Sequence, residues 1–72
     1  MLYELLLWNR INMPGRELPA IVRKTLPKEG EIIGKVLFPG ENVMRPARIL
    51  QTWRTDTRNE FPQRHTVIVE KE

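Results

Sequence analysis

The sequence predicts an α+β fold of two layers, one helix packed on a small antiparallel sheet. Three observations predict it: apolar runs rich in β-branched and bulky residues at the start, middle and end of the chain, one stretch with helical spacing, and Pro and Gly punctuation between them. The 72 residues, 1–72, form a single small domain.

The first run, Leu2 to Trp8, is short and ends at the polar pair Asn9-Arg10. It lacks the length and cap of a helix and reads as a strand covered on both faces. Asn12-Met13-Pro14-Gly15 interrupts the chain. From Arg16 to Leu26 the apolar residues Leu18, Ile21, Val22 and Leu26 fall at helical spacing, with Arg16, Glu17, Arg23 and Lys24 on the wet side. Pro19 sits in the first turn of that expected helix and Pro27 closes it.

Glu31 to Phe38 is bounded by Gly30 and Pro39-Gly40 and reads as a second strand, with Gly34 marking a bulge or a close backbone approach. A turn at Pro39-Gly40-Glu41-Asn42 leads into an extended segment from Val43 to Trp53, where Pro46 points to an edge position or a bulge. A polar loop spans Arg54 to Gln63, and Arg64 to Glu70 forms the last strand.

A chain of this length buries only about 60% of its unfolded surface, so its core stabilises it marginally. It has no cysteine to form a disulfide or a thiolate zinc site, and its single histidine, His65, cannot build a metal cage alone. A partner is the remaining source of stability. No apolar run is long enough to span a bilayer, and the opening Met1–Trp8, with Glu4 inside it, does not read as a secretory signal.

Enzymatic chemistry is not expected. The chain has no serine and no cysteine nucleophile, its four glycines form no phosphate-binding loop, and its carboxylates are scattered. His65 reads as structural. The sequence calls for no cofactor, no metal and no small-molecule substrate.

Binding chemistry is better represented. The net charge is +3 and the sequence pI is about 9.8. Five arginines lie between Arg45 and Arg64 (Arg45, Arg48, Arg54, Arg58 and Arg64), against Asp56 and Glu60, with no lysine. Guanidinium forks suit phosphate oxygens, and Trp53 within this stretch suits stacking on an unpaired base. Lys35 interrupts an apolar strand and would point outward, toward solvent or a phosphate.

Taken in order, the segments resemble the bacterial-type small-subunit ribosomal protein six family, particularly its mitochondrial forms. The resemblance is carried by Met1-Leu2-Tyr3-Glu4-Leu5-Leu6-Leu7, then Gly30-Glu31-Ile32-Ile33, then Gly40-Glu41 followed by Arg45-Pro46-Ala47-Arg48-Ile49, and last Arg64–Glu70. It spans nearly all of this chain but only about two thirds of the family's ferredoxin-like βαββαβ pattern, giving a partial β-α-β-β order. Ala47 stands where the family has an aromatic residue, and Pro19 is foreign to its helix.

The resemblance implies a structural ribosomal protein of the mitochondrial ribosome, binding small-subunit rRNA beside an eighteen-type ribosomal protein. Arg45 and Arg48 are the matching RNA-contact positions. Arg54, Arg58, Arg64, Trp53 and Lys35 join them on charge and aromatic character alone. Two other readings compete, with a cytoplasmic location as the alternative. One is a DNA-binding winged-helix protein of the phage excisionase type, which needs a second helix. The other is a small β-rich module that binds an acidic protein partner.

Overall fold

The structure is a computed structural model and describes residues 1–11, 17–56 and 61–72. Five strands make one sheet: β1 (Tyr3–Asn9), β2 (Ile21–Arg23), β3 (Ile32–Val36), β4 (Arg45–Arg54) and β5 (Gln63–Lys71). Their order across the sheet is β2-β1-β5-β4-β3.

The expected helix is absent among the described residues, so the two-layer α+β fold is corrected to an all-strand, curled half-barrel. The reason lies in the competition between local spacing and edge pairing. Pro19 and Pro27 leave too few residues between them for a helix that stands alone in water, where roughly 12–15 are needed. The bare edge of β1 offers hydrogen bonds instead. Glu17 bridges Trp8, the Leu18 N–H donates to the Leu7 carbonyl at 3.0 Å, and Ile21–Arg23 pairs antiparallel with Leu5–Tyr3. Of the four residues on the expected helical face, only two serve the core. Leu18 is buried and Ile21 packs against the core cluster, whereas Val22 and Leu26 are 54% and 48% exposed.

The sheet is mixed rather than antiparallel. β1 runs parallel to β5 in unbroken register from Tyr3↔Gln63 to Asn9↔Val69, and the other three pairings are antiparallel. β4 lies inside the sheet, between β5 and β3, so Pro46 is not at an edge. It sits instead opposite an irregularity in β3. Between the pairs Ile33↔Ala47 and Val36↔Arg45, the two residues Gly34 and Lys35 of β3 stand opposite Pro46 alone. A proline that cannot donate to the ladder is accommodated where the partner strand bulges.

A second bulge lies in β4, where Ile49 pairs with Val69 but Gln51 pairs with Ile68, leaving Leu50 as the extra residue. Bulges sharpen strand twist and bend the sheet. Here the bend closes the sheet on one face, and Leu5, Leu7, Ile33, Val36, Ala47, Ile49, Val67 and Val69 fill the concave side. Leu18 and Phe38, from the connections, complete that core. The core therefore lies within the curl and needs no covering layer.

Turns follow from local chemistry. In Phe38-Pro39-Gly40-Glu41 the Glu41 N–H donates to the Phe38 carbonyl at 3.1 Å, with Gly40 at φ +81°. Proline pre-sets the first corner, and only glycine takes the positive φ of the second without strain. Lys28–Glu31 repeats the pattern with Gly30 at φ +86° and a Glu31 N–H to Lys28 carbonyl bond of 3.1 Å.

Candidate functional site

Strand alternation divides the described side chains between the concave core and a convex outer face. On β1 the outer residues are Glu4, Leu6 and Trp8, and on β5 they are Arg64, Thr66, Ile68 and Glu70. On β4 the bulge at Leu50 resets the alternation. Ala47 and Ile49 point inward, and beyond the bulge Gln51 and Trp53 point outward opposite Ile68 and Thr66. Without the extra residue the odd-numbered series would carry Trp53 inward; with it, Trp53 is 45% exposed.

Trp8, Trp53, Thr55, Thr66 and Ile68 line a wide-open groove on this face. Trp8 enters it from β1, Thr66 and Ile68 from β5, and Trp53 from β4. The outer side of β5 went unremarked in the sequence because its buried series, His65, Val67 and Val69, dominates the apolar pattern. The signal available was the even-numbered series Thr66 and Ile68 in register with Leu6 and Trp8.

Ion pairs between strands or within one loop surround the groove. Arg64 bonds Glu4 at 2.9 Å, Arg10 bonds Glu70 at 2.9 Å, Arg48 bonds Glu72 at 2.8 Å and Arg54 bonds Asp56 at 2.6 Å. The arginines expected to form one cationic patch therefore divide. Arg48 and Arg64 flank the outer face with Trp53 between their strands' registers. Arg54 lies opposite His65 at one end of the curl, and Arg45 pairs with Glu41 at 3.2 Å at the other. Lys35 lies on the edge strand β3, beside Val36, the register partner of Arg45, and Arg58 falls outside the described residues.

At the Arg54 end a small polar group closes the core. His65 is only 8% exposed; its ring meets Tyr3 edge to face at 5.7 Å, and Nε2 lies 2.8 Å from the Gln63 amide. With the amide nitrogen turned to His65, the Gln63 oxygen accepts from Arg54 at 3.2 Å, which requires a neutral ring with its proton on Nδ1. Desolvation by burial, and then the Arg54 charge, lower the His65 pKa below its ordinary value. Asp56 accepts two bonds from Arg54, at 2.6 and 2.9 Å, and the guanidinium holds its carboxyl down to about 2. Lys71 first, and then Arg45, lower the Glu41 pKa.

These shifts set an acid dependence. The unfolded His65 ring takes a proton near its ordinary pKa of 6.5, before the folded ring does. Stability is therefore full above that value and falls as pH drops from it toward the lower folded pKa. Asp56 adds a second loss between its ordinary 3.8 and about 2. Urea unfolding from roughly pH 7 to pH 5 is expected to show declining stability in the parent chain and a flatter profile in His65→Gln. A parent profile without decline in that interval contradicts the neutral buried ring.

The described residues contain no group of three or more His, Cys, Asp or Glu placed to hold a metal ion, and no described helix is long and apolar enough to cross a membrane. Comparison of the chain with protein-family profiles, curated proteins and solved structures returned no match. The fold and surface thus define only a class, a small mixed-sheet half-barrel with an aromatic groove on its convex face.

Proposed function

We propose that this chain is a small β-rich protein-binding module whose convex face docks on a protein partner. One observation carries the reading: an open groove lined by Trp8, Trp53, Thr66 and Ile68, bordered by arginines that already hold carboxylates. Stable protein contacts have this anatomy, with desolvated aromatic anchors at the centre and a polar, charge-balanced rim. A polyanion would find little unspent positive charge here, because Arg48, Arg64 and Arg54 each face an acid of the same chain.

The second reading is the rRNA-binding ribosomal component, seated beside another ribosomal protein. Its support is that Arg48, Trp53 and Arg64 come from neighbouring strands on one face, and exposed ion pairs, worth about 0–1 kcal/mol each, are readily exchanged for phosphate contacts. Against it, the segment order behind the family resemblance includes a helix that the described residues lack. The winged-helix reading needs two helices and loses its basis for the same reason.

The test starts from nuclease-treated lysate of the source cells, followed by binding measurements with the purified partner. Trp53→Ala is expected to weaken binding by tenfold or more, roughly the 2 kcal/mol of a central aromatic anchor, with an unchanged circular dichroism spectrum. Association that vanishes with nuclease, or falls steeply with salt, sinks the protein-binding reading in favour of RNA.

A further inference from the structure

The second surface lies where the half-barrel stays open. β2 and β3 are the two edges of the sheet, each paired on one side only among the described residues. The curl brings their lips to a common slot of about 310 Å³, lined by Leu7, Ala20, Ile21, Val36, Leu37 and Met44, with Lys35 at its rim. At one end the connection from Lys24 to Glu31 crosses from lip to lip. Arg23 holds it there with paired bonds to Glu31 at 2.5 and 2.7 Å and further bonds to the Thr25 and Leu26 carbonyls. Leu37 and Met44, which line the slot, are themselves exposed, while Val22 and Ile32, opposite Glu4 and Arg48, expose apolar surface on the outer side of the two lips.

We propose that the slot receives one extended acidic–apolar segment of a partner protein, added as a strand along an edge of the sheet. Such strand addition takes its affinity from backbone hydrogen bonds and its specificity from pockets for alternate side chains. The edges supply the backbone groups, and the slot supplies one pocket of apolar walls. Charge selects the occupant. Lys24 and Lys35 make no ion pair among the described residues, whereas Arg10, Arg23, Arg45, Arg48, Arg54, Arg64 and Lys71 all do, and the Lys28 charge already acts on the Glu31 carboxylate. Carboxylates on the outward positions of an incoming strand would meet these lysines. A second copy of this chain fits less well, since its edge brings the same lysines, and not carboxylates, to Lys24 and Lys35. A nucleic acid finds no aromatic side chain in the slot to stack upon.

This inference rests on the protein-binding reading but uses a surface separate from the tryptophan groove. Its test is selection of displayed random peptides of about eight residues, a typical strand length, against the whole chain. Enriched sequences are expected to alternate apolar and acidic residues. The tightest, synthesised, should shift the amide resonances of β2 or β3, weaken by about fivefold or more against Lys35→Glu, and lose binding when alternate peptide amides are methylated. The methylated peptide keeps the test valid if Ala20→Phe, which would fill the slot, fails to fold. Four results overturn the proposal: no enrichment, a basic consensus, binding indifferent to amide methylation, or dimerisation of the chain through β3. Binding lost in Trp53→Ala but indifferent to Lys35→Glu also overturns it, and leaves the outer-face reading standing.

Discussion

Leu7→Ala is expected to leave the chain largely unfolded at physiological temperature. Leu7 is 1% exposed, sits at the centre of β1 in register with Val67, and forms a wall shared by the slot and a neighbouring crevice. Removing a buried leucine side chain costs about 2–5 kcal/mol, the upper part of the range applying where the surroundings cannot collapse into the void. Collapse is opposed here because the parallel β1–β5 ladder fixes the backbone on one side and Leu18 hangs from Leu7 by a single backbone bond on the other. A core of this size supplies little more than about 3–5 kcal/mol in total, so one such loss consumes most of it. Thermal unfolding followed by circular dichroism checks this. A cooperative transition within a few degrees of the parent's would contradict the assignment of Leu7 to the core.

Ala47→Phe is expected to be nearly as damaging, from the opposite cause. Ala47 is fully buried on β4, paired with Ile33 on one side and Lys71 on the other, where the curl brings neighbouring strands' side chains together. A benzyl group there must displace Ile33 or Ile49, at a cost of about 1–3 kcal/mol or more. The ribosomal family resemblance placed an aromatic residue at this position, which the curled sheet has no room for. Undiminished urea resistance in Ala47→Phe would mean that the interior is looser than the packing indicates.

The two binding surfaces differ in how they handle charge, and that difference organises the functional reading. On the convex face Glu4, Glu70 and Glu72 are spent on Arg64, Arg10 and Arg48, and at one end of the curl Asp56 is spent on Arg54. Lys24 and Lys35, without ion pairs among the described residues, lie toward the open side, on the β2–β3 connection and on β3 itself, with the likewise unpaired Glu29 on that connection. Excess charge located beside bare strand edges also discourages indiscriminate edge pairing. On the strand-addition proposal, the incoming segment would bring the complementary carboxylates.

Much of the chain's organisation was legible from residue types alone. Glu31–Phe38, Val43–Trp53 and Arg64–Glu70 carry the β-branched runs of β3, β4 and β5, Leu2–Trp8 carries β1, and Pro39-Gly40 dictates its turn. The segment from Leu18 to Leu26 was not legible. Its apolar spacing suits a helix as well as an irregular edge strand, and only the free hydrogen-bonding edge of β1 decides between them. Nothing local to Trp53 decides whether it faces the core or the outside, and the single extra residue Leu50 turns it outward. The arginines from Arg45 to Arg64 are adjacent in sequence, yet strand alternation and one bulge send them to different ends and faces. What the sequence by itself determined was where strands and turns form, because those depend on side-chain shape and backbone restriction within a few residues. Which strands pair, in which direction, and which acids meet which arginines was decided by the tertiary structure. Hydrogen-bond ladders and ion pairs join residues 60 positions apart and more, and no local pattern encodes such distances.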